Sequence, residues 1–232
     1  MHPPNPNTMI QPATLRFIKE LTKNNHKDWF DEHRKQYETA KQNFRELVEL
    51  IIREHSKKDS SLAALSSKDC MFRINRDVRF SKNKAPYKTN FGASIQAGGK
   101  KSMLAGYYFH LEPGGKSFVG GGLYMPEAAQ LQKVRQEIDY NWKEFTGILQ
   151  AKPFVKTYGS LEKGEGMALI REPKGYEKDN PAIEMLKMKS WVATAPLSDK
   201  QILQADLPKI ILHSFSVLQP LLVFLNRSLA DD

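Results

Sequence analysis

Apolar residues recur at helical spacing near both ends of the chain and at strand spacing between them. Leu15, Phe17, Ile18 and Leu21 share one face of a helix that Pro12, suited to a first helical position, begins and that Asn24 and Asn25 end. A second helix begins at Asp28, whose carboxylate can cap free amides, and lines up Phe30, Tyr37, Ala40, Phe44, Leu47, Val48 and Ile51 as a core stripe. Residues 57–68 are polar and serine-rich and read as a loop. Three strands are predicted at Phe91–Ala97, Leu104–Leu111 and Ser117–Tyr124, and the clusters Gly98-Gly99-Lys100 and Pro113-Gly114-Gly115-Lys116 between them are too short for anything but antiparallel neighbours. Gly120-Gly121-Gly122 inside the third strand predicts a bulge or a close backbone approach.

After Pro126 the helical period returns through Ala129, Leu131, Val134 and Ile138, then through Trp142, Phe145, Ile148 and Leu149. Residues 152–178, rich in Gly, Pro and charge, read as irregular chain with a short strand at Met167–Arg171. A short helix opens at Pro181, a strand follows over Ser190–Thr194, and Ser198 caps a helical turn. The last helix, Asp206–Ser228, places Ile210, Ile211, Phe215, Leu218, Leu222 and Leu225 on one side and is expected to kink at Pro220. The fold class is α+β: a central antiparallel sheet flanked by helices from both chain ends. A single domain is expected over residues 9–230, after a disordered leader at 1–8.

Composition narrows the possible partners. A formal net charge of +9 favours anionic ones, either a small molecule or nucleic acid. Cys70 is the only cysteine, which excludes an intrachain disulfide and a multi-cysteine metal site and fits a reducing, cytoplasmic setting. The leader lacks the basic start and apolar core of a secretory signal. His213, Ser214, Ser216, Gln219 and Pro220 interrupt the apolar run from Ile210 to Leu225, which falls short of the roughly 20 apolar residues of a membrane span and is expected to be a buried helix, with no membrane partner. Oligomeric state and cofactor remain open at this level.

The stretch Cys70–Gly92, CMFRINRDVRFSKNKAPYKTNFG, concentrates the charge. Between Lys68 and Lys88 there are seven Lys or Arg against two Asp, a local net of +5. If Phe72–Phe80 is extended, Phe72, Ile74, Val78 and Phe80 point one way, Arg73, Asn75, Asp77 and Arg79 the other, and Arg76 falls on the apolar side. A guanidinium placed there cannot lose its proton and requires a carboxylate, carbonyls or a bound anion.

Other constellations carry less. Gly115-Lys116-Ser117 resembles the end of a phosphate-binding loop, but His110 stands where that motif needs its first glycine, so a hairpin turn explains it better. Tyr108, His110 and Glu112 face one side of a strand and could share a proton, yet two ligating residues do not make a metal site and none is assigned. His26 and His33 read as solvent-facing, His213 as a core histidine and Cys70 as an inert buried thiol. No Gly-x-Ser-x-Gly nucleophile elbow occurs, and no catalytic residue is assigned.

Asn24-Asn25, Trp29-Phe30 and Tyr37, the run Phe72-Arg73-x-x-Arg76-Asp77-x-Arg79-Phe80-Ser81-Lys82, Pro86-Tyr87-Lys88, Gly120-Gly121-Gly122 with Pro126, and Pro173-Lys174-Gly175-Tyr176 with Asp179-x-Pro181 together resemble a widespread, mainly bacterial family, domain of unknown function 2461. The resemblance spans about Leu15 to Leu225 and implies a single-domain cytosolic protein without specifying a reaction. Asn180 departs from the histidine expected in the family's pattern. Charge and motifs combined nominate Arg73, Arg76, Asp77, Arg79, Lys82, Lys84, Lys88, Lys174 and Tyr176 as contacts to a phosphate-bearing or other anionic ligand, with catalysis on it left open. The alternatives are an interaction protein with a purely structural Arg–Asp cluster, or a weakly specific nucleic-acid binder.

Overall fold

The computed structural model of the protein describes residues 9–164 and 166–229; the expected leader at 1–8 lies outside the described residues. Helices α1 (Pro12–Lys23), α2 (Lys27–Glu32), α3 (Arg34–His55) and the one-turn α4 (Ser67–Cys70) precede strands β1 (Phe91–Ile95), β2 (Gly106–Leu111) and β3 (Ser117–Leu123). Helices α5 (Ala128–Tyr140), α6 (Trp142–Gln150), α7 (Lys152–Tyr158) and α8 (Ile183–Leu186) lead to β4 (Trp191–Leu197), α9 (Asp199–Ile202) and α10 (Leu207–Arg227). The four strands form one antiparallel sheet in the order β1-β2-β3-β4, so each hydrogen-bonds to its sequence neighbour and the fold class is α+β.

The described chain falls into two compact units. The first holds the residues up to Lys100 with Tyr108–Val119 and Pro196–His213; the second holds Lys101–Tyr107, Gly120–Ala195 and the residues from Ser214 onward. In the first, α1 and α3 supply a core in which Phe44, fully buried, lies 5.5 Å from Phe91 and 5.7 Å from Phe109, ring centroid to ring centroid. In the second, Tyr107 meets Phe215 at 4.7 Å, and Phe145 meets Phe224 at 5.3 Å.

The glycine run in β3 is a close backbone approach. A Cβ on Gly120, Gly121 or Gly122 would fall 2.1, 2.1 or 2.0 Å from the carbonyl oxygen of Ala193, Gly106 or Trp191, and Gly121 and Gly122 also hold φ of 152° and 134°. Only hydrogen fits at those positions.

Several local expectations differ from the structure. The long second helix is two, because the chain breaks at His33 (φ −103°, ψ 16°), whose ring stacks on Trp29 at 4.0 Å instead of facing solvent; His26, not Asp28, caps α2 by accepting from Trp29 N. Residues 152–158 form α7, started by Pro153, anchored by buried Phe154 and Tyr158 four residues apart, and ended by Gly159 at φ 73°. Met167–Arg171 is not a strand: it makes a single bridge, Ala168 to Met188, and Ile170 is 96% exposed. Helix α10 continues through Pro220. His213 is exposed, because the buried positions Ile211, Ser214, Phe215, Leu218, Leu222 and Leu225 set a helical phase that turns 213 outward. By length and composition α10 could cross a membrane, and half of its most apolar window is buried inside the protein.

Candidate functional site

In the first unit the basic stretch doubles back on itself. Met71 bridges Ala93 and Asn75 bridges Tyr87, both antiparallel; Phe72 N donates to Gly92 O at 3.0 Å, Arg76 N to Pro86 O at 2.9 Å and Lys88 N to Ile74 O at 2.8 Å. The result is an open hairpin too sparsely paired to be a regular strand. Its returning arm is fixed from the helical side. Asn25 donates through Nδ2 to Tyr87 O at 2.9 Å and accepts through Oδ1 from Tyr87 N at 3.0 Å, and Phe30 stacks on the Tyr87 ring at 4.0 Å. A side-chain amide that satisfies both backbone groups of one residue acts as a short strand partner. It sets the direction in which neighbouring Lys88 emerges.

The alternation expected for Phe72–Phe80 holds only in part. Ile74 is buried and Arg76 half-buried, but Phe72 is 38% exposed and Phe80 96% exposed. Beyond Asp77 the chain turns, with Ser81 N donating to Val78 O at 3.3 Å, so Phe80 sits in a bend with the Arg79 guanidinium 5.8 Å from its ring centre. Asp77 belongs to Arg79. Its Oδ2 accepts from Arg79 Nη2 at 2.7 Å and its Oδ1 from Arg79 N at 3.2 Å; these bonds, with Arg73 nearby, hold the carboxyl below its usual range. The pair is largely solvent-exposed, so it is not the buried ion pair a structural cluster would need.

Arg76 is bound to neutral groups. Nη1 donates to Ala85 O at 2.8 Å and Nη2 to Ser81 Oγ at 3.3 Å, and no carboxylate pairs with it among the described residues. Two of its five N–H groups are thereby engaged. Lys84 donates to Val78 O at 3.1 Å, while Arg73 and Lys82 have no ion pair among the described residues. The Lys88 ammonium lies 5.1 Å from the Phe72 ring centre; burial, with added repulsion from Arg73, pulls it below the usual lysine range.

The hairpin adjoins the outward face of the sheet. Along β2, Tyr107, Phe109 and Leu111 are buried, while Tyr108, His110 and Glu112 alternate to the other side and are only partly covered. His110 Nε2 lies 3.0 Å from Glu112 Oε2, and the ring stacks on Phe118 of β3 at 4.7 Å and 11°. Asn90 Nδ2 stands 3.4 Å from His110 Nδ1, and Tyr108 Oη stands 3.5 Å from it. Tyr108 lies 6.3 Å from Phe72, and burial raises its phenol above the usual tyrosine range. Gly92 leaves room for that phenol: a Cβ there would meet Tyr108 Oη at 2.5 Å.

Of the residues nominated from sequence, Arg73, Arg76, Asp77, Arg79, Lys82, Lys84 and Lys88 thus share one hairpin. Lys174 and Tyr176 belong to the second unit, where Lys174 is exposed and Tyr176 lies close enough to Arg135 and Asp139 for their charges to act on its phenol. Arg135 there is buried and donates to Leu186 O at 2.6 Å and Met188 O at 3.2 Å; Asn180, at the position where histidine was expected, donates to Asp139 Oδ1 at 2.7 Å. Asn25, Asn90, Gly92 and Phe118 were not nominated. Asn25 alone carried a signal, as part of the family pattern. The His110–Glu112 pair was visible as two residues of one strand face.

A family model described as a conserved hypothetical protein matches residues 13–224, nearly the whole chain and a range that contains every motif quoted above. The chain belongs to the DUF2461 family. No curated protein and no solved structure matches it. Within the range matched to DUF2461, Asn25 and Phe30 clamp Tyr87, and the arginine-rich stretch is the basic hairpin that this clamp holds.

Proposed function

We propose that this DUF2461 protein binds a phosphate-bearing or other anionic ligand on the basic hairpin, with Arg73, Arg76 and Lys88 as principal contacts and Arg79, Lys82 and Lys84 raising the local potential. The observation that carries this reading is the charge around Lys88 and Arg73: two cations near enough to repel, one of them partly desolvated, with no carboxylate in ion-pair contact with either among the described residues, and with Asp77, the carboxylate whose charge Arg73 acts on, already bonded to Arg79. Half-burying a cation beside another cation costs free energy, and an anion between them would return it. Arg76 adds N–H groups left over from its bonds to Ala85 and Ser81. Asp77 orients Arg79 in this scheme and does not touch the ligand.

The test is thermal unfolding of the purified protein with inorganic phosphate, pyrophosphate, AMP and ADP at constant ionic strength. A ligand that binds only the folded state at 100 times its Kd stabilises by about 2.7 kcal/mol. At least one of these anions should raise Tm by several degrees, and Arg73→Gln or Lys88→Gln should abolish the rise. If none of the four moves Tm beyond a chloride control, the proposal fails. A second reading, weakly specific binding of nucleic acid, draws on the net charge of +9 and requires affinity for a mixed-sequence oligonucleotide that falls steeply with salt.

A further inference from the structure

His110 is bonded closely at one ring nitrogen and only loosely at the other. The Glu112 carboxylate, 3.0 Å from Nε2, can only accept, which places the ring proton on Nε2. In the neutral ring Nδ1 then carries a lone pair. Both groups that face Nδ1, the Asn90 amide and the Tyr108 hydroxyl, are donors, in agreement with that tautomer, but at 3.4 and 3.5 Å they are at the outer limit of hydrogen bonding. Phe118, stacked at 11°, fixes the plane of the ring. A carboxylate-oriented imidazole with a basic nitrogen that no short bond satisfies is the arrangement of a general base.

The basic hairpin adjoins this histidine through Asn90 and through Phe72, which lies beside Tyr108. Phe72 lies 5.1 Å from the Lys88 ammonium and its ring centre 6.3 Å from that of Tyr108, so the cation and the tyrosine beside His110 share one aromatic neighbour. Phe72, Tyr108 and Phe118 offer flat apolar walls to whatever the phosphate is attached to. We propose that His110, oriented by Glu112, is the general base for hydrolysis of a phosphate ester bound at Arg73 and Lys88; this rests on the anion-binding reading above. The water oxygen attacks phosphorus and gives one proton to His110 Nδ1. The new P–O bond forms as the ester P–O bond breaks, and the departing oxygen keeps the bonding electrons and then takes the proton from the imidazolium. The products are phosphate and an alcohol or phenol. Arg73 and Lys88 offset the charge that gathers on the non-bridging oxygens. His110 is the catalytic residue and Glu112 a positioning residue.

The experiment measures hydrolysis of p-nitrophenyl phosphate and bis(p-nitrophenyl) phosphate by the full chain as wild type, His110→Gln, Glu112→Ala and Lys88→Gln, beside the Tm shift each shows with inorganic phosphate. His110→Gln should lower kcat by about 10²- to 10⁴-fold and keep the phosphate shift. Lys88→Gln should lose the shift and raise KM. Glu112→Ala should lower kcat, and the ¹⁵N resonances of His110 should lose the Nε2-protonated signature seen in wild type. If wild type turns over neither ester faster than His110→Gln while phosphate still raises Tm, the dyad is structural and only the anion-binding reading survives. If hydrolysis depends on His110 but phosphate does not shift Tm, the base stands and the assignment of the anion contacts falls. An Nδ1-protonated His110 in the wild-type spectrum would overturn the general base whatever the activity.

Discussion

Replacing Arg76 by Met distinguishes an anion contact from a structural charge. A guanidinium locked to a buried carboxylate would leave that partner stranded on removal, at a cost of about 3–5 kcal/mol. Arg76 has no such partner among the described residues: it is half-buried and donates to the Ala85 carbonyl at 2.8 Å and, more weakly, to the Ser81 hydroxyl at 3.3 Å. One good charge-assisted bond contributes about 1.5–3 kcal/mol, and the methionine side chain keeps most of the aliphatic packing while water can reach Ala85 O at this half-buried site, so the expected loss is about 1–2 kcal/mol. For a chain of this length that is a fall in Tm of about 2–8 °C. The assay is urea unfolding followed by far-ultraviolet circular dichroism, with Tm measured with and without pyrophosphate. Arg76→Met should unfold at slightly lower urea and lose at least part of the pyrophosphate shift. A loss of more than about 3 kcal/mol would refute the neutral-partner account and imply a buried charge pair. An undiminished pyrophosphate shift would remove Arg76 from the site.

Three further outcomes check the scaffold. Phe44→Ala, which empties a fully buried position between Phe91 and Phe109, should cost about 3–5 kcal/mol by urea unfolding; less than about half a kcal/mol would put that ring outside the core. Gly121→Ala should be more damaging than Gly114→Ala in soluble yield and Tm, because a Cβ at 121 would lie 2.1 Å from Gly106 O whereas one at 114 meets nothing within 4 Å; equal behaviour would contradict the close approach at β3. Burial pushes the His55 imidazolium down from 6.5, so the folded state binds fewer protons than the unfolded one below that value; stability should be full above pH 6.5 and fall as pH drops through it. His55→Leu should flatten the urea midpoint between pH 7.5 and 5, and an unchanged slope would show that His55 is not its source.

What the sequence disclosed follows from which features are local. The stripes of α3 and α10 and the alternation of β1, β2 and β3 are one-dimensional patterns, and the strand ends differ from expectation by only one to two residues, with Phe91, Leu111 and Ser117 placed as predicted. Helix α7 was hidden because Lys152, Pro153, Lys156 and the later glycines suggest a loop, while its two anchors, Phe154 and Tyr158, are a single i, i+4 pair. The break at His33 was hidden because Phe30 and Tyr37 continue the stripe across it. At the site, charge density marked the hairpin, but alternation could not reveal the turn after Asp77 that leaves Phe80 exposed, nor that Asp77 would choose Arg79, two residues away, over Arg76 beside it. The Asn25–Tyr87 clamp joins residues 62 apart, a separation no spacing argument reaches.

The two faces of β2 explain why a modest strand can carry both a core and a site. Odd positions Phe109 and Leu111 are fixed by burial, and since side chains alternate strictly, fixing them also fixes the outward direction of Tyr108, His110 and Glu112. The outward residues therefore need no packing of their own to be aimed, only short contacts to set their final angles, and those contacts come from Phe118 in the next strand and Asn90 just ahead of β1. A slip of one residue in the pairing of β2 would exchange Phe109 for His110 and destroy core and dyad together. The register of β2 against its neighbours is thus constrained from both sides, for stability through Phe44 and Phe109 and, on the reading proposed above, for chemistry through His110. The basic hairpin differs in kind. It is held by the Tyr87 clamp and a few backbone bonds and has little core of its own, so on the reading proposed above Arg73 and Lys88 can adjust toward an anion while the imidazole stays in place.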